Sequence, residues 1–169
     1  MNLIRTHRCT RWTVAIACGL LAVAGPATAS ASVSGRAKQC QGRVVTVDLG
    51  AGQVPTAGSD VIQGTEGSDK INAGAGNDFV CALGGDDLVN AGPGSDWVRG
   101  GAGGDTLNLG GGPDSGWGGN GPDILRGQNG WDFLIGGPGD DHYEGGPGFD
   151  ICGPDQTAAD TGCDAYPGE

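Results

Sequence analysis

The chain has 169 residues, including 37 glycines and 9 prolines, and carries 20 acidic against 9 basic side chains for a net charge of −11. So much glycine excludes a core of long helices, because glycine weakens a helix and buries no side chain, and the lack of a glycine at every third residue excludes a collagen triple helix. The acidic balance argues against nucleic acid as a partner, which needs a basic surface, and favours cations.

At the N-terminus Arg5, Arg8 and Arg11 precede an apolar run from Trp12 to Ala24, too short to cross a bilayer as a helix. Ala27-Thr28-Ala29 and Ala29-Ser30-Ala31 are small-residue cleavage sites. Residues 1–31 are expected to be a signal peptide, so the mature chain is expected to be secreted and extracellular, with no membrane insertion after cleavage. Cleavage leaves 6 basic against 20 acidic residues, a balance of −14. It also leaves four cysteines, Cys40, Cys81, Cys152 and Cys163. An even count in a secreted chain predicts disulfides. With no Cys-x-x-Cys and only His142 remaining, a thiolate metal site is the weaker reading.

Residues 32–54 form an N-terminal segment. Its first part is polar, and Arg43-Val44-Val45-Thr46-Val47-Asp48-Leu49 predicts a strand. Such a strand would cap whatever follows, because an open end of stacked strands exposes edges and core.

From residue 55 to 153 the sequence repeats every nine residues. Asp60, Asp69, Asp78, Asp87, Asp96, Asp105, Asp114, Asp123, Asp132, Asp141 and Asp150 share one register, each with a glycine two residues before it. Two residues after each Asp the side chain is apolar, as in Ile62, Val80, Leu107 and Leu134, with Gly116 the clear exception. Glycine-rich turns alternating with three-residue strands, whose middle residue points inward, predict a stacked parallel solenoid. Gly116 predicts a void beside Leu107 and Leu125, or a local shift of Trp117 into the gap. Turn capping by side-chain to backbone bonds would suit Asp, Asn or Ser equally, yet no unit uses Asn or Ser at this position. That restriction favours a cation ligand.

The units Gly100-Gly101-Ala102-Gly103-Gly104-Asp105-Thr106-Leu107-Asn108 and Gly136-Gly137-Pro138-Gly139-Asp140-Asp141-His142-Tyr143-Glu144 resemble the hemolysin-type (RTX) calcium-binding nonapeptide repeat, Gly-Gly-x-Gly-x-Asp-x-U-x. The resemblance implies an all-β fold: a parallel right-handed β-roll, or β-solenoid, of eleven nonapeptide repeats, two to a coil, with an N-terminal cap strand. It implies Ca²⁺ between turns n and n+2 on one edge, held by the eleven aspartates named above and by turn carbonyls. Eleven turns allow up to nine sites, and oxygen-only ligation suits Ca²⁺. Ala73, Ala82, Ala91 and Leu109 replace the first glycine of their units, which is expected to weaken those turns.

The last segment, 154–169, breaks the register and is expected to fold back over the last coil through Cys152–Cys163, while Cys40–Cys81 ties the cap to the first coils. Odd repeats place Val61, Phe79, Trp97, Ser115, Phe133 and Ile151 outward, joined by Trp117 and Ile135, a stripe that Ser115 and Arg99 are expected to interrupt, whereas even repeats present Asn72, Asn90 and Asn108. The main expectation is a secreted, non-catalytic protein that folds on binding Ca²⁺. The alternative is an adhesion or cell-wall-binding module that meets a protein or glycan with the aromatic odd face. There is no His-Glu-x-x-His or Gly-x-Ser-x-Gly motif to suggest an enzyme, and no threonine ladder to suggest ice binding.

Overall fold

The computed structural model describes residues 39–153 and 160–164, all within one unit, Arg36–Glu169. The expected signal peptide and residues 154–159 and 165–169 of the tail lie outside the described residues. The strands, in chain order, are β1 (Gln39–Cys40), β2 (Arg43–Val44), β3 (Val47–Asp48), β4 (Val61–Gln63), β5 (Lys70–Asn72), β6 (Phe79–Gly84) and β7 (Leu88–Pro93). They continue as β8 (Trp97–Ala102), β9 (Thr106–Gly111), β10 (Ser115–Asn120), β11 (Ile124–Asn129), β12 (Phe133–Ile135), β13 (His142–Glu144) and β14 (Ile151–Cys152). The one helical element among the described residues is a single 3-10 turn, Leu49–Ala51.

From β4 onward successive strands alternate between two parallel sheets. One runs β14-β12-β10-β8-β6-β4-β3 and the other β13-β11-β9-β7-β5. Partners lie eighteen residues apart, as in Val61↔Phe79 and Lys70↔Leu88. One coil is therefore two nonapeptides, and the chain winds an all-β parallel solenoid of about six turns. Between the sheets, Ile62, Ile71, Val80, Val89, Val98, Leu107, Leu125, Leu134, Tyr143 and Cys152 form one buried line.

Three expectations change in the structure. The central strands β6 to β11 are six residues long, not three, because they run on through the first three positions of the following unit. Their burial alternates, so the first position of that unit also points inward. Ala73, Ala82, Ala91 and Leu109 are accordingly core residues with no exposure; they fill the solenoid and do not weaken its turns. The void expected at Gly116 is occupied: a Cβ built there would stand 3.1 Å from Leu109 Cδ1. Trp117 keeps regular pairing, Trp117↔Arg99 and Trp117↔Ile135, so no bulge forms.

The third change is at the cap. The stretch 43–49 is not one strand. β1 and β2 form an antiparallel hairpin, and β3 alone joins the sheet, through Val47↔Ile62. Val47 is buried and closes the core line. The hairpin lies against β4 and β6 and is tied to the sheet by Cys40–Cys81 (Cα–Cα 5.9 Å). At the other end Cys152–Cys163 (5.7 Å) holds the tail on the last coil.

Candidate metal centres

The turn glycines are required by the stacking. Gly92 and Gly94 have φ of 107° and 159°, and a Cβ on either would run into the carbonyl oxygen of Gly74 or Gly76 one coil below. Backbone packed this closely puts the aspartates of successive coils within hydrogen-bond reach. The odd aspartates form one column, Asp60, Asp78, Asp96, Asp114, Asp132 and Asp150. The even ones, Asp69, Asp87, Asp105, Asp123 and Asp141, form the other. In each column the backbone N–H of one aspartate donates to Oδ1 of the aspartate eighteen residues later, at 2.7–3.0 Å. All eleven sequence-predicted residues are thus brought into two ladders, and all but the half-buried Asp69 are buried.

The second oxygens differ along the ladders. Oδ2 of Asp78, Asp87, Asp96, Asp105, Asp114, Asp123, Asp132 and Asp150 is buried and has no hydrogen-bond partner. A carboxylate is acceptor-only when ionised, and burying it without a compensating group is costly. Desolvation accordingly pushes these carboxyls up, to about 6 at Asp87 and Asp132 and about 7 at Asp114 and Asp123. The backbone N–H donated to each offsets this, and the neighbouring carboxylates of the ladder add to it. Desolvation also raises Asp78, Asp96, Asp105 and Asp150.

At the start of the ladders Oδ2 is satisfied by the chain itself. Thr56 donates its N–H (2.7 Å) and hydroxyl (2.9 Å) to Asp60 Oδ2. Thr65 does the same for Asp69 Oδ2, at 2.7 and 3.0 Å. These two turns lack the positive-φ residues that recur from Gly74 onward. They follow the turn-capping chemistry, and the threonine two positions into each of these units was the available signal.

The tail supplies a residue outside the repeat. Asp164 Oδ2 accepts the Asp150 N–H (2.7 Å), and the Asp164 N–H donates to the Asp150 carbonyl (2.7 Å). Asp164 thus terminates the odd column fourteen residues past Asp150, where a ninefold register finds nothing. Next to it Asp160 Oδ1 accepts the Tyr143 N–H (2.8 Å) and lies 2.9 Å from His142 Nδ1.

Among the described residues no group of three or more His, Cys, Asp and Glu side chains converges. An ion on either edge would therefore meet few side chains and draw its other ligands from the backbone. A cation that supplies positive charge to buried Oδ2 atoms and accepts carbonyl oxygens is a hard one, and the donor set fits Ca²⁺.

A parallel β-solenoid with a ladder of buried carboxylates on each edge is a structural ion-binding element. The RTX calcium-binding nonapeptide repeat matches residues 55–89, 82–115 and 117–152, together more than half of the chain. The chain belongs to this family, whose repeats bind calcium and form a β-roll. Comparison with curated proteins and with solved structures finds no match.

Proposed function

We propose that this chain is a secreted, non-catalytic calcium-binding protein whose β-roll forms when Ca²⁺ binds. The observation that carries this reading is the set of buried Oδ2 atoms without hydrogen-bond partners, repeated every eighteen residues on both edges. A bound Ca²⁺ supplies the charge that burial would otherwise deny these carboxylates. The ligands are Asp78, Asp96, Asp114, Asp132 and Asp150 on the odd edge and Asp87, Asp105, Asp123 and Asp141 on the even edge. Asp60 and Asp69, satisfied by Thr56 and Thr65, act as turn caps. Ions between like turns then number four on the odd edge and three on the even edge, fewer than the nine the repeat count allows.

The domain plan that accompanies this function has a signal peptide at 1–31, a cap segment at 32–54, the roll at 55–153 and a closing tail at 154–169. Folding is coupled to calcium because the folded turns bind the ion and the open chain does not, so binding energy becomes folding energy. The test is circular dichroism of the mature chain, calcium-stripped at pH 7.5 and then titrated with Ca²⁺. Cooperative gain of β structure is expected. Full β structure without calcium at that pH would overturn the coupling, and fewer than two bound ions by calorimetry would overturn the ligand set.

A further inference from the structure

The outer face of the seven-stranded sheet carries a second feature that the calcium ladders do not use. Phe79 and Trp97 stack in parallel (centroids 4.1 Å, 7° between planes), Trp97 meets Trp117 at 4.7 Å, and Trp117 meets Phe133 at 6.1 Å. Ser115 does not interrupt this ladder, because Trp117 from the same strand fills its place. Beside the ladder lies a groove of about 360 Å³, with Trp97, Trp117 and Ile135 in its lining and Arg99, Asn120 and Gln41 as its polar groups. A second groove of about 340 Å³ adjoins it and shares Arg99, Asn120 and Gln41. Gln41 sits at the tip of the β1–β2 hairpin, so the Cys40–Cys81 bond that ties the hairpin down also builds one wall.

We propose that this groove binds an acidic glycan, an oligosaccharide bearing carboxylate groups. Three observations select that occupant. Trp97 and Trp117, adjacent in the ladder, give the groove an apolar aromatic wall against which the C–H groups of a sugar pack, and the groove falls within the size range of small-ligand sites. The polar groups are side-chain amides and a guanidinium, whose planar donors match hydroxyls and carboxylates. Arg99 is exposed and has no carboxylate or hydrogen-bond partner among the described residues, an unneutralised cation on a chain of net charge −11. Arg43, 4.6 Å over the Phe79 ring, adds a second positive charge to the same face. A peptide is the poorer fit. The strands below the groove are interior to the sheet, with their backbone groups committed to neighbours, so a peptide backbone finds no strand edge to pair with.

Calorimetric titration of the calcium-saturated protein with a hyaluronan hexasaccharide tests the proposal, beside the uncharged N-acetylglucosamine hexamer and hexaglutamate. Saturable binding of hyaluronan in preference to both is expected. Arg99→Gln and Trp117→Ala should each weaken it by about tenfold or more, while Lys70→Gln on the opposite sheet leaves it unchanged. Calcium-dependent circular dichroism reports whether each variant folds. If Trp117→Ala fails to fold, Arg99→Gln alone decides. The proposal is overturned by any of four results: no hyaluronan binding, equal binding of the neutral hexamer, preference for hexaglutamate, or an Arg99→Gln effect no larger than that of Lys70→Gln.

Discussion

Leu109 and Gly116 depart from the repeat in opposite directions, and each explains the other. The unit that lacks an inward side chain at Gly116 has a leucine where its neighbours have glycine or alanine, and the leucine methyls occupy the space a Cβ at 116 would need. Gly116→Val is therefore expected to overpack the core and destabilise the calcium-loaded roll by about 1–3 kcal/mol. Leu109→Ala should cost about 2–5 kcal/mol by opening a cavity. Combined, the two changes should cost less than either alone, which thermal melting of the three variants measures; simple additivity would refute the pairing. Gln128 is an exposed non-glycine at φ 73°, as Leu83 is a half-buried one at φ 88°, and both stand at a position where most units have glycine. Gln128→Gly should raise the melting temperature, by the equivalent of about 1 kcal/mol. Both departures stood in the sequence. That 109 and 116 meet was not legible there, because a three-residue strand leaves the first position of a unit in the turn and only the six-residue strand turns it inward.

The two kinds of turn separate the aspartates by task. Where Thr56 or Thr65 caps Oδ2 the carboxylate is already satisfied, and at Asp78, Asp87, Asp96, Asp105, Asp114, Asp123, Asp132 and Asp150 it is not. Asp60→Ala should leave the calcium midpoint of folding nearly unchanged, while Asp96→Ala should raise it several-fold. A calcium titration followed by circular dichroism distinguishes the two, and equal shifts would remove the division. The terminal strands carry a related expectation. Asp164 takes the Asp150 N–H through a tail held by Cys152–Cys163. Asp164→Ala leaves that buried donor without its partner, at about 1–3 kcal/mol. Amide exchange should accelerate in β12 and β14 and stay unchanged in β6 and β8.

Across the whole molecule the carboxyl ladders make folding depend on pH as well as on calcium. In the metal-free roll Asp114 and Asp123 titrate at about 7, against 3.8 for an unperturbed carboxyl. The folded state then holds more protons than the unfolded chain between about pH 4 and pH 7, so stability falls as pH rises across that interval. The contribution is fully present below pH 4 and is lost as pH passes 7. Calcium-stripped protein should accordingly retain more β structure at pH 5 than at pH 8, and Ca²⁺ should restore it at pH 8. At pH 6, binding should release protons, which calorimetry in buffers of different ionisation enthalpy detects. β structure that grows from pH 5 to pH 8 without calcium would contradict the ladder energetics.

The sequence by itself determined the repeat, through a strict period of nine, and the pairing of the four cysteines, through which segments adjoin the first and last coils; the resemblance of that repeat to its family implied the two-nonapeptide coil. It also identified the odd face as aromatic, since alternation along a strand decides which side chains point outward. Only the tertiary structure decided which carboxylate oxygens lack a partner, that Leu109 occupies the space beside Gly116, that Asp164 ends the odd column, and that the β1–β2 hairpin lies on the aromatic face beside Arg99. Each of these depends on atoms brought together by the stacking of coils or the docking of the flanks, and local sequence preference carries no record of such contacts.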